Sequence, residues 1–297
     1  MKITRTYPPR RYNQQAIQFF RLVTEKLVPP SWYRAAIPPK SERKALDGPL
    51  DLEVVSHCWG YGNMLTYQLS SFVNYPPKNA TVTVTVFYSV EDEKTASVID
   101  YFSSLEARNV RWNFFAIEKE KLFRRGIGRN MAAQSSTADW IWFTDCDIIF
   151  HENCIDSLAT ALQGKQEILY FPATECTTEM LTDDDPMLRK DSEPQLVDIP
   201  TENFSRHSRD KAKGAFQIVH GDVARAIGYC DRLKIFQTQD TRWRKTYEDT
   251  AFKWLVGSEG IPIDVDGVYQ IRHVTKGRYA EDSGLSRVRS KIRRMQE

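Results

Sequence analysis

Two carboxylates one residue apart, Asp145 and Asp147, interrupt the apolar and aromatic run DWIWFTDCDIIF at 139–150. On a strand, residues i and i+2 share a face, so both acids point one way and Cys146 the other. Like charges that close destabilise one another unless a cation neutralises them. Oxygen ligands favour Mg²⁺ or Mn²⁺, which bind through one or two carboxylates and complete their shells with substrate phosphates.

The elements around the pair give it a place. LEVVSHCW (52–59) has the short β-rich run of a buried strand, and GNMLTYQLSSFVNY (62–75) sets Met64, Leu65, Leu69, Phe72 and Val73 at helical spacing. TVTVTVFYSV (81–90) is β-branched throughout and reads as a strand. A helix over 93–106, a strand over 110–116 and a helix over 128–138 lead into the acidic run. Strands alternating with helices imply parallel strands and crossover connections. The acids then fall at or just past the C-terminal end of a parallel strand, the edge where open α/β sheets bind ligands. No GxGxxG follows the first strand, which disfavours a dinucleotide fold.

Beyond the pair, the pattern gives a helix over 153–163, a strand over 168–173, a strand AFQIV (215–219), a helix over 221–230, a helix over 247–260, and strands IPIDV (261–265) and VYQIRHV (268–274). Residues 177–213 are polar and rich in Asp, Ser and Pro, and read as a long loop of the kind that serves as a lid or acceptor-binding segment or is disordered. The first 48 residues hold three Pro-Pro pairs and one helical stretch, 13–27, and read as an arm on the core.

A composition of 41% hydrophobic and 27% charged residues excludes a disordered or fibrous chain. The longest apolar runs are far below the ~20 residues that cross a bilayer, and the N-terminus lacks the apolar stretch of a secretory signal, so a cytoplasmic protein is expected. Five cysteines, widely spaced and without CxxC, read as reduced core residues. The net charge of +2 hides an asymmetry: residues 1–48 carry ten Lys/Arg against three Asp/Glu, and 276–297 carry seven against three. Such basic ends suit peripheral contact with an anionic membrane at its inner face or a polyanionic acceptor; they equally read as a solvated arm and tail. An acidic middle and no recognisable motif argue against nucleic-acid binding.

The ordered set GIGRNMA (126–132), ADWIWFTDCDIIF (138–150), YEDTAF (247–252) and IRHV (271–274) resembles a GT-A fold glycosyltransferase, similar to glycosyltransferase family 2. The resemblance implies an α/β fold: a nucleotide-binding, Rossmann-like, mostly parallel sheet fused to an acceptor-binding half. The domain spans 49–275, with a nucleotide-sugar half at 49–150 and an acceptor and catalytic half at 151–275, between the arm (1–48) and a basic tail (276–297). Asp145 would contact the donor's ribose and, through water, the metal. Asp147 would ligate the Mn²⁺ or Mg²⁺, and His273 would supply a third ligand. Asp249 would be the general base for an acceptor hydroxyl, with Glu248 its close competitor; both acids also fit an ordinary acidic first turn.

His57, Trp59, Glu91 and Asp92 lie at the strand exits where such enzymes hold base and ribose, although a buried Trp and a solvated acidic turn fit equally. Arg129 and Asn130 would pair with a phosphate or orient the aspartates, and Arg272 and Lys276 would close over the diphosphate. The expected reaction moves a sugar from a nucleotide-sugar to a hydroxyl of a saccharide or glycolipid, with inversion. A retaining GT-A enzyme and a catalytically idle nucleotide-sugar-binding subunit are the rivals. The 50 residues before the first strand are not explained by the resemblance.

Overall fold

The computed structural model describes residues 4–182, 184–189, 193–244 and 246–274. Its centre is a seven-stranded sheet in the order β10-β6-β9-β4-β1-β2-β3. The strands are β1 (Asp51–His57), β2 (Thr81–Tyr88), β3 (Val110–Ala116), β4 (Trp140–Phe143), β6 (Leu169–Pro172), β9 (Gln217–His220) and β10 (Ile261–Ile263). β1 pairs in parallel with β2 and β4, β2 with β3, and β6 with β10. The crossovers are α3 (Gly62–Asn74), α4 (Glu93–Ser103) and the pair α5 (Lys119–Leu122) and α6 (Arg125–Ser135). β1 is buried on both faces, which is why Leu52-Glu53-Val54-Val55 reads as a nearly continuous apolar run.

The parallel pattern fails at β9, which runs antiparallel to both β4 and β6. The central sheet therefore continues past residue 150 instead of closing with the first half. Helices α7 (Cys154–Ala161), α8 (Gly221–Ile227) and α9 (Glu248–Val256) follow β5 (Ile148–Phe150), β9 and the segment to Tyr247. Helix α6 begins three residues before the expected start, so that Gly126 and Gly128 lie inside it. Gly128 has a packing reason: a Cβ there would stand 2.2 Å from His57 Nε2 and 2.9 Å from the Phe87 ring.

The acidic run is not one strand. β4 ends at Phe143, the chain turns through Thr144–Asp147, and β5 (Ile148–Phe150) joins a second sheet of order β5-β11-β7-β8, with β11 (Val268–Gln270), β7 (Thr174–Thr178) and β8 (Phe204–Ser208). The two aspartates are thus held together by a corner between sheets, not by strand alternation.

The polar stretch 177–213 also departs from expectation. It contains the end of β7 and all of β8, and its Leu188 and Ile199 pack with Met64, Ile149 and Ile271 in a second apolar cluster. Val197 donates to Ser70 Oγ and accepts from Asn74. Two isolated apolar residues in a polar run carry no periodic signal, so sequence reading missed the anchor.

The N-terminal segment packs against the core. A helix over α1 (Asn13–Phe19), a wider π turn (Phe20–Thr24) and α2 (Glu25–Leu27) buries Ile17 and Phe20. Phe20 meets Tyr33, Phe236 and Trp254 edge-on at 5.3–6.1 Å between centroids. The backbone of Tyr7 bridges Thr238, and Arg34 donates to the carbonyl of Leu255 in α9. All five cysteines are free thiols, four of them buried. No helix among the described residues is long and apolar enough to cross a membrane.

Candidate active site

The turn that carries the aspartates is braced from behind. Gln68, fully buried on α3, donates to the carbonyls of Asp145 (2.9 Å) and Ile148 (2.8 Å). Arg129, fully buried on α6, donates to the carbonyls of Thr144 (3.2 Å) and Gly214 (2.7 Å), to the Tyr229 hydroxyl (2.9 Å) and, at 3.5 Å, to Asp145 Oδ1. A planar guanidinium with five donors suits such a junction. Asp147 accepts from Gln270 of β11 at 3.3 Å, and its carbonyl accepts from Ile271.

In front of the turn lies a cleft of about 560 Å³. Asp145, Asp147, Asp249, His57 and His273 line it, together with Tyr61, Met64, Glu175, Phe216, Trp243 and Gln270. Four cations stand around these acids: Arg125, Arg209, Lys213 and Arg244. Arg125 links the two acidic groups, with Nη1 2.5 Å from Asp145 and Nε 3.6 Å from Glu248. Burial opposes its charge, but Asp145, Glu248 and Asp249 outweigh burial and hold it protonated. Arg209 pairs with Glu175 and lies 3.6 Å over the Phe216 ring.

The two members of the Glu248-Asp249 pair have different surroundings. Glu248 is fully buried, accepts from the Thr246 hydroxyl, and faces Arg125. Asp249 faces the cleft, lying over Gly214, where an added Cβ would sit 3.2 Å from Asp249 Oδ2. A helix turn points successive residues about 100° apart, so one acid is turned inward and the other outward.

His57 lies at the exit of β1, stacked on Phe87 at 4.9 Å, with neither ring nitrogen hydrogen-bonded. Burial first, then the nearby Arg129 and Arg125, hold its pKa well below the ordinary imidazole value. His273 is buried beside the Tyr61 ring, 5.2 Å between centroids, and bridges Leu181. The Cys58 thiol, followed by burial, pushes the Cys146 thiol well above its usual range.

Other candidates sit elsewhere. Trp59 packs edge-on against Phe123, and Asp92 caps α4 while accepting from Gly60 N at 2.6 Å. Glu91 pairs with Lys119 and borders a separate cavity of about 520 Å³ at the ends of β2 and β3. Asn130 holds the backbone of Tyr229 and the Asp231 carboxylate, a scaffold position away from the cleft. The backbone of Arg272 joins Thr178 and Leu181. Lys276 lies outside the described residues. The cleft cations Arg125, Arg209, Lys213 and Arg244 escaped sequence reading; only Arg125, next to the GIGRN motif, carried a local signal.

The donor set of two carboxylate groups and an imidazole on one cleft fits Mg²⁺ or Mn²⁺ by chemistry. Among the described residues no three His, Cys, Asp or Glu side chains lie grouped so that they could hold a metal ion by themselves.

The model of glycosyl transferase family 2 matches residues 78–228. A search of curated proteins finds no match. Among solved structures, residues 1–349 of S. aureus TarS align with 13% identity and a TM-score of 0.45, covering 75% of this chain and 60% of that one. The mannosyltransferase PcManGT from Pyrobaculum calidifontis, in complex with GDP-Man and Mn²⁺, aligns with 13% identity and a TM-score of 0.43 over 96% of this chain and 73% of that one. The chain thus spans 60% of the TarS segment. With the family match covering β2 through α8, including the acidic turn and its arginine brace, the chain belongs to glycosyl transferase family 2.

Proposed function

We propose that the protein transfers a sugar from a nucleotide-sugar to a hydroxyl of a saccharide or glycolipid acceptor, inverting the anomeric centre. The observation that carries this reading is the convergence of Asp145, Asp147, Asp249 and His273 on one cleft from distant parts of the chain. Residues 49–150 would hold the donor and 151–275 the acceptor and the base, although they share one sheet. A divalent ion held by Asp147 and His273, and by Asp145 through water, would neutralise the departing diphosphate.

Asp249 would accept the acceptor's proton as the oxygen attacks the anomeric carbon, because it is the acid of its pair that faces the cleft. Arg125 fixes Asp145 and keeps Glu248 in its inward position. Arg209, Lys213 and Arg244 supply positive charge for donor phosphates or an anionic acceptor.

Donor hydrolysis tests the stereochemical reading without knowledge of the acceptor. Proton NMR of the sugar released from an α-linked nucleotide-sugar should show the β anomer first. Initial release of the α anomer would replace inversion with the retaining alternative.

A further inference from the structure

The arm presents an outward face that neither the fold nor the cleft uses. Nine large hydrophobic side chains are exposed among the described residues, and five of them lie between residues 12 and 32: Tyr12 (66% exposed), Phe19 (61%), Leu22 (61%), Leu27 (75%) and Trp32 (73%). Tyr12, Phe19, Leu22 and Lys26 follow at spacings of seven, three and four, which keep side chains on one face of a helix. The opposite side is fixed: Ile17 and Phe20 are buried, and Asn13 donates to the carbonyl of Ile235. Burying the outward face by rolling the helix would expose these anchors.

Charge identifies what fits that face. Residues 4–34 carry six Lys/Arg and a single acid, Glu25. Arg10, Arg11, Arg21 and Lys26 are exposed on the same stretch of chain, Arg21 with its guanidinium over the Tyr247 ring. A second copy of the chain would bring one net positive surface against another. A glycan would stack on Trp32 and Tyr12 but would leave Phe19, Leu22 and Leu27 in contact with its hydroxyls. An anionic bilayer offers both partners at once: acyl chains for the apolar groups and lipid phosphates for the cations, with Trp and Tyr at the headgroup level.

We propose that this arm is a membrane-docking surface, in which Tyr12, Phe19, Leu22, Leu27 and Trp32 enter the interface of an anionic bilayer and the neighbouring Arg and Lys contact its phosphates. The inner face of the same arm packs on α9 through Phe20 and Trp254 and on its last turn through Arg34 and Leu255, so docking would set the base helix in a fixed relation to the membrane. The proposal rests on the surface alone and stands or falls independently of the donor chemistry.

Vesicle co-sedimentation of the full chain tests it, with phosphatidylglycerol–phosphatidylcholine vesicles against phosphatidylcholine alone. The wild type should bind the anionic vesicles, and F19S/L22S should weaken that binding by about tenfold or more. W32S should weaken it as well, while its fold, read by circular dichroism, stays intact. The basic tail alone would bind anionic vesicles with no sensitivity to these apolar changes. Undiminished binding in both variants, or no binding by the wild type, would overturn the proposal. So would a dimer seen by sedimentation equilibrium that F19S/L22S converts to monomer without any change in vesicle binding.

Discussion

At the scale of single residues, neighbouring acids are separated by what surrounds them. Glu248 is enclosed with Thr246 and Arg125, whereas Asp249 opens to the cleft over Gly214. D249N keeps the size and polarity of the side chain but cannot take a proton. Its kcat should fall by about 10²–10⁴ with donor affinity nearly unchanged. E248Q should instead lower thermal stability, since it weakens a buried pair with Arg125; normal turnover in D249N beside a dead, fully stable E248Q would move the base one residue back.

Glu25 on the arm gives a pH signature. Burial, opposed by Arg21 and reinforced by the Asp249 charge, raises its carboxyl from 4.5 to about 7, and its Oε1 has no hydrogen-bond partner. A pKa raised by folding means that the folded state holds the proton more tightly. The contribution to stability is therefore complete below pH 4.5 and lost as pH rises through about 7. Thermal melts of wild type and E25Q should diverge over that window, the wild type losing stability relative to the variant as pH increases. Parallel curves would remove Glu25 from the account.

At the scale of elements, α6 is the piece on which the site is built. Its Arg125 and Arg129 reach the acidic turn, and its Gly128 lets the helix approach His57 and Phe87. G128A places a methyl group against those rings, so the helix or β1 must shift. The variant should lose about 1–3 kcal/mol in urea unfolding, and unchanged stability would show that the contact relaxes freely.

Local signals explain what could be read in advance. β1, β2 and α3 announce themselves through β-branched runs and helical spacing, and the acidic pair stands out because no other charged residue interrupts the run from Trp140 to Phe150. The corner at Thr144–Asp147 was not legible, because two short strands in different sheets look the same as one long strand when pairing partners are unknown. The reversal at β9 has the same cause: antiparallel pairing with β4 and β6 is a non-local event. Arg209, Lys213 and Arg244 come to the cleft by the path of the chain, and each looks like any surface cation in sequence.

At the scale of the whole molecule, two sheets meet at the acidic corner, and the cleft forms where α6, α9 and the strand β11 face that corner. The basic arm binds the outside of α9 and carries an exposed apolar face of its own. On the proposed reading, this corner would hold a metal and the diphosphate of a nucleotide-sugar. Asp147 is buried at the cleft wall and takes part in no apolar cluster, so D147A should keep the fold, read by circular dichroism, whatever its own melting point. Thermal shift with UDP and GDP, each with and without Mn²⁺, tests the claim directly. A ligand at 100 times its Kd stabilises the native state by about 2.7 kcal/mol, roughly 4 °C or more in Tm for a chain of this size. One of the diphosphates should give such a shift in the wild type only when Mn²⁺ is present, and D147A should abolish it. A D147A protein that is stabilised by diphosphate and Mn²⁺ as much as the wild type would contradict the account.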